Sequence, residues 1–203
     1  MKISIIDYGS GNVNSISNML YHLGIDNIIS SDSDSVKKSD KIILPGVGKF
    51  DTAMINLKKN ISLYETLHEE VIQKKKHILG ICLGMQMLFA KCENNNEKGL
   101  EWVNGKVCKI PAINNIKIPH MGWNKVKIMN NSNFLSLNKN HRFYFCHSYY
   151  CKLFDDNADY NLTSYSGFEF CSIVSKKNIL GVQFHPEKSH KYGMHILKTF
   201  INL

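Results

Sequence analysis

The sequence predicts an α/β fold with a mainly parallel central sheet and an antiparallel extension. Short apolar runs recur along the chain, each closed by a glycine, a proline or a polar turn, which is typical of buried strands. Strand and helix patterns alternate through roughly the first ninety residues, and this alternation indicates βαβ units with parallel pairing. Further along the chain the pattern changes to short strand-like segments separated by turns.

Five apolar segments are expected to form buried strands. They are Ile3 to Asp7, Lys41 to Leu44, Ile78 to Cys82, Phe143 to Cys146 and Ile179 to Phe184. A helix is predicted from Val13 to Leu23, because its apolar residues share one helical face and Gly24 follows where a helix-ending glycine belongs. A second helix is predicted around residues 63–72, where apolar residues again recur at helical spacing.

The middle of the chain, from Gly99 to Phe170, is expected to form the antiparallel extension. Its strand-like segments are Trp102 to Val107, Asn124 to Ile128, Phe143 to Tyr150 and Leu162 to Tyr165. The last segment, Ser189 to Phe200, has apolar residues at helical spacing and should pack back on the sheet. The sequence has no internal repeat, linker or low-complexity tail, so we expect one domain spanning residues 1–203.

The composition indicates a globular protein and argues against nucleic-acid binding. The 203 residues are 43% apolar, which is enough to bury a core without disulfides or a metal. The formal net charge is +8, but Arg142 is the single arginine and the other basic residues are lysines. Recognition of bases and phosphates relies on the guanidinium fork of arginine, so this excess of lysine is a weak signal for nucleic acid.

The six cysteines and the hydropathy pattern argue against a zinc site, secretion and a membrane span. No two cysteines form a Cys-x-x-Cys pair. The N-terminal residues start directly as a strand, without the long apolar stretch of a signal peptide. No apolar run approaches the ~18 residues that a membrane span needs. We therefore expect a cytoplasmic protein with reduced thiols and with neither a metal nor a cofactor.

The most specific local signal is the segment Gly80-Ile81-Cys82-Leu83-Gly84, which follows an apolar strand and precedes a helical stretch. This pattern predicts a nucleophile elbow with sulfur in place of oxygen. The flanking glycines permit a sharp turn from strand to helix, and a helix N-terminus favours a thiolate over a thiol. Cys82 is therefore the candidate nucleophile, and the alternative is an inert cysteine of the core.

His185 is the candidate base for that sulfur. It follows the apolar strand at Phe184 and starts the sequence His185-Pro186-Glu187. Proline fixes the turn, so the imidazole and the carboxylate can project to the same side. A carboxylate that orients an imidazole, which in turn activates a sulfur, is the arrangement of a catalytic triad. The alternative is a strand-end turn with a solvated glutamate.

Acyl transfer also needs amide donors where negative charge develops on the substrate oxygen. One candidate donor is the N–H of Leu83, directly after the nucleophile. The other is the segment Pro45-Gly46-Val47-Gly48 at the end of a predicted strand, where glycines let a loop turn its amides inward.

Further motifs accompany the elbow at Gly80 to Gln86 and the segment Phe184 to Glu187. They are Asp7 to Asn12, Leu44 to Gly48, Pro119 to Asn124, Phe143 to Tyr149 and His185 to Ser189. Together the motifs resemble the class I, triad-type glutamine amidotransferases, and within that family the glutaminase subunits of imidazole glycerol phosphate synthase, of histidine biosynthesis. The resemblance spans residue 3 to about residue 200 and implies a flavodoxin-like, three-layer fold with helices on both faces of the sheet.

The resemblance implies a role for each matching residue. Cys82 would attack the carboxamide of L-glutamine, His185 would pass a proton to the departing ammonia and Glu187 would orient the imidazole. The residues that match glutamine-binding positions are Gly46, Gln86, His147, Ser148 and Tyr149. Those that match the oxyanion hole are Val47, Gly48 and Leu83.

The resemblance also implies a partner, a (β/α)8 barrel cyclase subunit that receives the ammonia. Ligand binding at that partner would rearrange the Pro-Gly-Val-Gly segment so that it presents its amide. The residues that match partner-facing positions are Asn12, Trp123, Tyr144 and Lys188. Among the lysines, Lys188 lies beside the triad and is expected to pair with an acidic residue of the partner.

Two departures from the family pattern leave alternatives open. Glu93 is followed by Asn94, where the family usually has two acidic residues, one of which helps to bind the amino group of glutamine. A paralogous branch, associated with surface-polysaccharide genes, resembles the stretch Ser189 to Met194 and would supply ammonia for the amidation of a sugar. Outside glutaminase chemistry, the alternatives are a thiol hydrolase on the same fold and a catalytically silent binding protein.

Overall fold

A computed structural model describes residues 1–113, 116–129, 141–154 and 157–203 of the chain. The strands within these ranges are β1 (Lys2–Ile6), β2 (Asp26–Ser30), β3 (Lys41–Leu44), β4 (His77–Ile81), β5 (Gly105–Lys109), β6 (His120–Lys125), β7 (Arg142–His147), β8 (Tyr149–Leu153), β9 (Asp159–Tyr165), β10 (Phe168–Lys176) and β11 (Ile179–Val182). The α-helices are α1 (Val13–His22), α2 (Ser33–Lys38), α3 (Phe50–Lys59), α4 (Ile61–His68), α5 (Leu83–Met87) and α6 (His190–Ile201). A π-helical turn, Glu69–Gln73, continues α4, and a 3-10 turn, Pro186–Lys188, precedes α6.

The parallel half of the central sheet has the strand order β2-β1-β3-β4-β11. Each neighbouring pair in this half runs parallel. This is the order of a flavodoxin-like doubly wound sheet, in which ligands bind beyond the carboxyl ends of the strands. The carboxyl ends of β3, β4 and β11 therefore meet at one edge of the sheet.

The antiparallel extension continues from β11 through β10 to β8 and β5, and β9 pairs with β10 as well. Strands β6 and β7 form a separate antiparallel ribbon. The predicted fold class, with a parallel sheet and an antiparallel extension, is confirmed. The predicted strand Phe143 to Tyr150 is wrong in extent. Ser148 interrupts it and separates β7 from β8, and these two strands belong to different sheets.

Helices cover both faces of the sheet, as the three-layer fold requires. Side chains of a strand alternate between the two faces, and β3 shows this directly. Ile42 and Leu44 pack with α3 and α4 on one face, whereas Ile43 packs with α1 and α6 on the other. The sheet is thus buried on both sides, which explains why its central strands consist almost entirely of apolar residues.

Three elements of the first half were not predicted, namely β2, α2 and α3. Strand β2 is an edge strand with only half-buried or exposed residues, and its sequence Asp-Asn-Ile-Ile-Ser lacks the apolar run of a central strand. Helix α2 is short and mostly polar, with Val36 as its buried residue. Elements with little buried surface, such as β2 and α2, give weak periodic signals, because periodicity reflects burial. Helix α3 buries Phe50, Ala53, Met54 and Leu57, so this reason does not apply to it.

A buried hydroxyl in β9 leads to a stability prediction. Thr163 is completely buried, and its Oγ1 has no hydrogen-bond partner among the described residues. Valine keeps the shape of threonine and removes the unpaired hydroxyl, whose burial opposes folding. We expect Thr163→Val to raise the free energy of unfolding by about 1 kcal/mol in urea titrations. A lower free energy of unfolding for the variant would contradict this account.

Candidate active site

Cys82 lies at the turn between β4 and α5. Its backbone has φ 54° and ψ −107°, a region that residues other than glycine rarely adopt. The backbone N–H of Cys82 donates to the carbonyl of Val182 at 2.7 Å, so this strained turn is held by the neighbouring strand β11. Strain of this kind persists only where the surroundings impose it, and it is common at functional sites.

The glycines around Cys82 allow close backbone packing. A Cβ atom at Gly84 would overlap the carbonyl of Leu44, and one at Gly80 would meet the backbone of Gly84. Gly46 has the same constraint, because a Cβ there would lie 2.8 Å from the Gly84 nitrogen. The positive φ belongs to Cys82 itself, so the glycines permit the predicted elbow by leaving room for it against β3.

His185 and Glu187 form a buried pair next to Cys82. The imidazole Nδ1 lies 2.8 Å from Glu187 Oε1, and the two side chains are 4% and 2% exposed. The backbone N–H of His185 donates to the Tyr144 carbonyl at 2.9 Å, which ties this segment to β7. Since Nδ1 is occupied by the carboxylate, Nε2 is the nitrogen available to the Cys82 sulfur.

The electrostatics of the pair favour a charged imidazole. Burial alone lowers the pKa of His185, but contacts with Cys82 and with the Glu187 carboxylate outweigh it and raise the pKa to about 10. Burial raises the pKa of Glu187, yet the hydrogen bond and charge of His185 lower it overall. An imidazolium beside a cysteine stabilises the thiolate, which is the reactive form of the side chain.

Asn12 contacts the same carboxylate, which the sequence did not predict. Its Nδ2 donates to Glu187 Oε1 at 2.9 Å across 175 residues of chain. The other carboxylate oxygen, Oε2, is buried and has no partner among the described residues. Glu187 is therefore oriented by two donors on one oxygen, one from the loop after β1 and one from His185.

A cavity of about 380 Å³ opens above Cys82 and His185. Most of the predicted site residues line it: Asn12, Val47, Gly48, Cys82, Leu83, Gln86, His147, Ser148, Tyr149, His185 and Lys188. Pro119 and Cys146 line it too and were not predicted. The remaining predicted residues, Gly46, Trp123, Tyr144 and Glu187, are not among its lining residues. The volume lies within the range of pockets for small molecules.

Two of the three predicted oxyanion amides, those of Val47 and Leu83, are engaged within the chain. Val47 N–H donates to Ser10 Oγ at 3.1 Å, and the Ser10 hydroxyl donates to the Val47 carbonyl. Leu83 N–H donates to the Gly46 carbonyl at 3.4 Å. Both residues line the cavity, yet their N–H groups must leave these partners before they can bind a substrate oxygen.

A polar network lies beneath the predicted glutamine-binding residues. The Tyr149 carbonyl accepts from Gln86 Nε2 at 3.1 Å and from His147 Nδ1 at 2.7 Å. His147 Nε2 lies 3.0 Å from Nδ1 of His120, which stacks on Tyr165. Because a carbonyl only accepts, the network assigns the His147 proton to Nδ1 and makes His120 the donor to Nε2.

The two imidazoles are neutral in this arrangement. Burial lowers the pKa of His120 to about 4. Burial lowers that of His147 to about 3, against a smaller opposing effect of the Tyr149 carbonyl. His147 was predicted from the resemblance, whereas His120 was not predicted. The signal for His120 was its place in the motif Pro119 to Asn124, in which only Trp123 had been given a role.

Three of the four predicted partner-facing residues, Trp123, Tyr144 and Lys188, belong to an aromatic and cationic surface beside the cavity, whereas Asn12 lines the cavity itself. Trp123 is 43% exposed and stacks on His190 with ring centroids 5.6 Å apart. The Arg142 guanidinium lies 5.6 Å from the Trp123 ring, and Lys188 Nζ lies 5.7 Å from the Tyr144 ring. We call Trp123, Arg142, Tyr144, Lys188 and His190 the rim surface. Aromatic residues and arginine are enriched at protein interfaces.

Glu93 does not reach the cavity. Its carboxylate accepts from the backbone N–H of Lys109 at 3.0 Å, and it is not among the lining residues. The family contact to the amino group of glutamine, left open by the sequence, is therefore not formed by Glu93 in this arrangement.

Comparison with known proteins identifies the family. The family described as glutamine amidotransferase class-I matches residues 4–203. The chain belongs to the class-I glutamine amidotransferases. This confirms the resemblance that the motifs indicated. A crystal structure of a glutamine amidotransferase matches the fold of this amidotransferase with a TM-score of 0.78 at 14% identity, covering 98% of this chain and 97% of the other.

Relatives of this amidotransferase share nearly their full length with it. Imidazole glycerol phosphate synthase subunit HisH 2 of Methanococcus maripaludis is 50% identical over 200 residues, covering 98% of each chain. The subunit HisH 2 of Pseudomonas aeruginosa is 42% identical over 202 residues, covering 99% of each. In this amidotransferase, every helix of the described ranges falls short of the length and apolarity needed to cross a membrane.

The His120–His147 pair predicts an acid-sensitive stability. The pKa of His120 is about 4 in the fold and near 6.5 in an unfolded chain, so the unfolded state binds more protons between these values. Stability is therefore lost as the pH falls through this window. We expect His120→Gln to reduce the loss between pH 7 and pH 5 by about 1 to 2 kcal/mol, measured by urea unfolding at each pH.

His22→Gln is the control for this experiment, because it removes an imidazole at an exposed position of α1. An unchanged acid dependence in His120→Gln would contradict the neutral, buried assignment of His120.

Proposed function

We propose that this chain is the glutaminase subunit of an imidazole glycerol phosphate synthase of histidine biosynthesis. It would hydrolyse L-glutamine to glutamate and ammonia and pass the ammonia to a (β/α)8 barrel cyclase subunit. The observation that carries the proposal is the buried His185–Glu187 pair, 2.8 Å apart, beside Cys82 in a cavity of suitable size. The full-length similarity to proteins named as HisH subunits supports the choice of pathway.

The reaction follows from the three side chains. The Cys82 thiolate attacks the carboxamide carbon of glutamine, and the charged imidazole of His185 gives its proton to the departing nitrogen. The carbon–nitrogen bond breaks, releasing ammonia and leaving a thioester on Cys82. His185 then takes a proton from water, which attacks the thioester and releases glutamate and the thiolate. Glu187 keeps the imidazole oriented through both steps.

The substrate would lie in the cavity above these groups. The predicted contacts are Gly46, Gln86, His147, Ser148 and Tyr149, of which all but Gly46 line the cavity. The buried network below, anchored on the Tyr149 carbonyl, supports the Gln86 and His147 side chains in fixed orientations. Pre-organised contacts of this kind lower the cost of ordering the substrate.

Stabilisation of the oxyanion requires a change in the loop after β3. Val47 N–H is held by Ser10 and Leu83 N–H by the Gly46 carbonyl, so the proposed hole is closed in this arrangement. Gly48, with φ 114°, is a position where the loop can turn. We infer that binding of the partner and its ligand favours the alternative arrangement with the Val47 amide facing the substrate.

The partner would bind the rim surface. Lys188 lines the cavity and also faces Tyr144, and the Tyr144 carbonyl accepts from the backbone of His185. A partner on this surface would therefore contact groups that are one hydrogen bond away from the catalytic base. Asn12, bonded to Glu187, provides a second connection of the same kind. In this proposal residues 1–203 act as one cytoplasmic domain of a heterodimer.

The proposal is tested by assembling the chain with a histidine-pathway barrel cyclase and measuring glutamate release from glutamine. We expect Cys82→Ala to lower glutaminase activity by more than about 1000-fold, because the attacking sulfur is lost. Synthesis of imidazole glycerol phosphate from added ammonia should persist. A glutamine-like chloroketone should label Cys82 in the wild-type complex and nowhere else.

Each alternative gives a different result in the same assay. Faster turnover of esters or peptides than of glutamine would contradict the proposal in favour of a thiol hydrolase. Glutaminase activity that appears only with a cyclase-like partner from a sugar-amidation gene set would contradict the assigned pathway. Absence of ammonia release from a verified complex would contradict glutaminase chemistry itself.

Charge reversal tests the partner surface. Lys188→Glu should weaken assembly at least about tenfold, because it places a carboxylate where an acidic partner residue is expected. Lys75→Glu is the matched control, since Lys75 is exposed beyond the π-helical turn, away from the rim surface. Binding is measured by titration of the cyclase subunit. Equal effects of the two reversals would contradict a specific role for Lys188.

A further inference from the structure

Gln183 lies directly behind the Cys82 sulfur and has no role in the reaction described above. It follows β11, two residues before His185, and it is completely buried. Its backbone N–H donates to the Ser172 carbonyl at 2.9 Å, which continues the pairing with β10. Its side-chain Nε2 lies 3.6 Å from Cys82 Sγ. The Gln183 amide has a carbonyl oxygen and an NH2 group, and only the NH2 group can donate a hydrogen bond to the sulfur.

The hydrogen-bond network decides the orientation of the Gln183 amide. Gln86 Nε2 lies 3.0 Å from Gln183 Oε1 and 3.1 Å from the Tyr149 carbonyl. The Tyr149 carbonyl can only accept, so it must face the NH2 end of Gln86. That same NH2 group then needs an acceptor in Gln183, which places Gln183 Oε1 toward Gln86. The NH2 end of Gln183 is therefore directed at the sulfur.

The surroundings of the sulfur differ for the thiol and the thiolate. As a thiol, Cys82 can donate to the Cys146 carbonyl, 3.9 Å from Sγ. As a thiolate it has no proton to donate and gains from N–H groups directed at it. His185 supplies one such contact, and the completely buried Gln183 side chain supplies another. Because Gln183 is neutral, its contact does not change when the imidazole gives up its proton.

We propose that Gln183 is a further catalytic residue, which holds an N–H on the Cys82 sulfur and favours the thiolate both as attacking group and as leaving group. Gln86 and the Tyr149 carbonyl are positioning groups, because they act on the sulfur only by orienting the Gln183 amide. When the thioester breaks down, the sulfur leaves as an anion, and the same N–H accepts that charge. The inference rests on Cys82 being the nucleophile of the proposed glutaminase.

The first test uses the isolated chain and needs neither glutamine nor a partner. Alkylation of Cys82 by iodoacetamide is followed as a function of pH, with peptide mass spectrometry separating the six cysteines. Gln183→Met removes the donor at similar volume, and Gln183→Glu replaces it by a carboxylate oxygen. We expect the alkylation midpoint to rise by about one pH unit in Gln183→Met and by more in Gln183→Glu.

Gln183→Glu adds one carboxylate near the sulfur, and the other titratable side chains there are the same in all these proteins. They are His185, with Glu187 behind it, His147, Tyr8 and Cys151, together with Cys146 and Lys188 of the cavity lining. Thr163→Val is the matched control, because it removes a buried polar group in β9 that lies outside the site. Thermal unfolding verifies that each variant is folded. An unchanged midpoint in a folded Gln183→Met would overturn the proposal.

The second test is made on the wild-type chain, so it stands even where a Gln183 variant does not fold. With 15N-labelled glutamine side chains, one amide NH2 signal should shift with pH in step with Cys82 alkylation. That shift should be absent in Cys82→Ala. If every glutamine amide signal is independent of the state of Cys82, the contact is absent and the proposal fails.

In the assembled complex, Gln183→Met should lower kcat for glutamine about tenfold and change KM by less than about twofold, because Gln183 touches the sulfur and is not a cavity-lining residue. A change confined to KM would overturn the proposal. The outcomes are distinct from those for the proposed function. A shifted alkylation profile supports the Gln183 contact even if glutamine is not hydrolysed, and an unshifted profile overturns it even if glutamine is hydrolysed.

Discussion

The parallel pairing of β4 with β11 is the contact on which the candidate site depends. Ile81 lies opposite Val182 in the register, and the next residue, Cys82, donates its backbone N–H to the Val182 carbonyl at 2.7 Å. Strands that run parallel end at the same edge of a sheet, so their following residues emerge side by side. Cys82 and His185 leave the sheet this way, and their separation of about a hundred residues in sequence becomes direct contact.

Close backbone packing adds the second constraint. The elbow after β4 packs against the end of β3, where the Leu44 carbonyl leaves no space for a side chain at Gly84. The backbone of Gly84 in turn leaves no space for a side chain at Gly80. The same packing brings the Pro45 to Gly48 loop to the rim of the cavity, next to the sulfur. One edge of the sheet thus supplies the nucleophile, the base and the loop with the oxyanion amides.

Three hydrogen bonds connect the candidate active site to the surrounding loops and to β7. Ser10 holds the Val47 amide, Asn12 holds the Glu187 carboxylate, and the Tyr144 carbonyl holds the backbone of His185. Tyr144 belongs to the rim surface itself, and Asn12 lines the same cavity as Lys188. Among the lysines of the described ranges, Lys188 alone lines the cavity and also belongs to the rim surface.

The sequence by itself determined the strands of the sheet centre, the elbow at Cys82 and the His185-Pro186-Glu187 turn, because each is encoded by neighbouring residues. The sequence did not predict the edge strand β2, because this strand buries little apolar surface. Only the tertiary structure decided the bonds of Asn12 to Glu187 and of Gln183 to Cys82, which join residues 175 and 101 positions apart. Tertiary packing alone also decided that the Val47 amide is held by Ser10, because a hydrogen bond between two loops depends on how the strands beneath them are aligned.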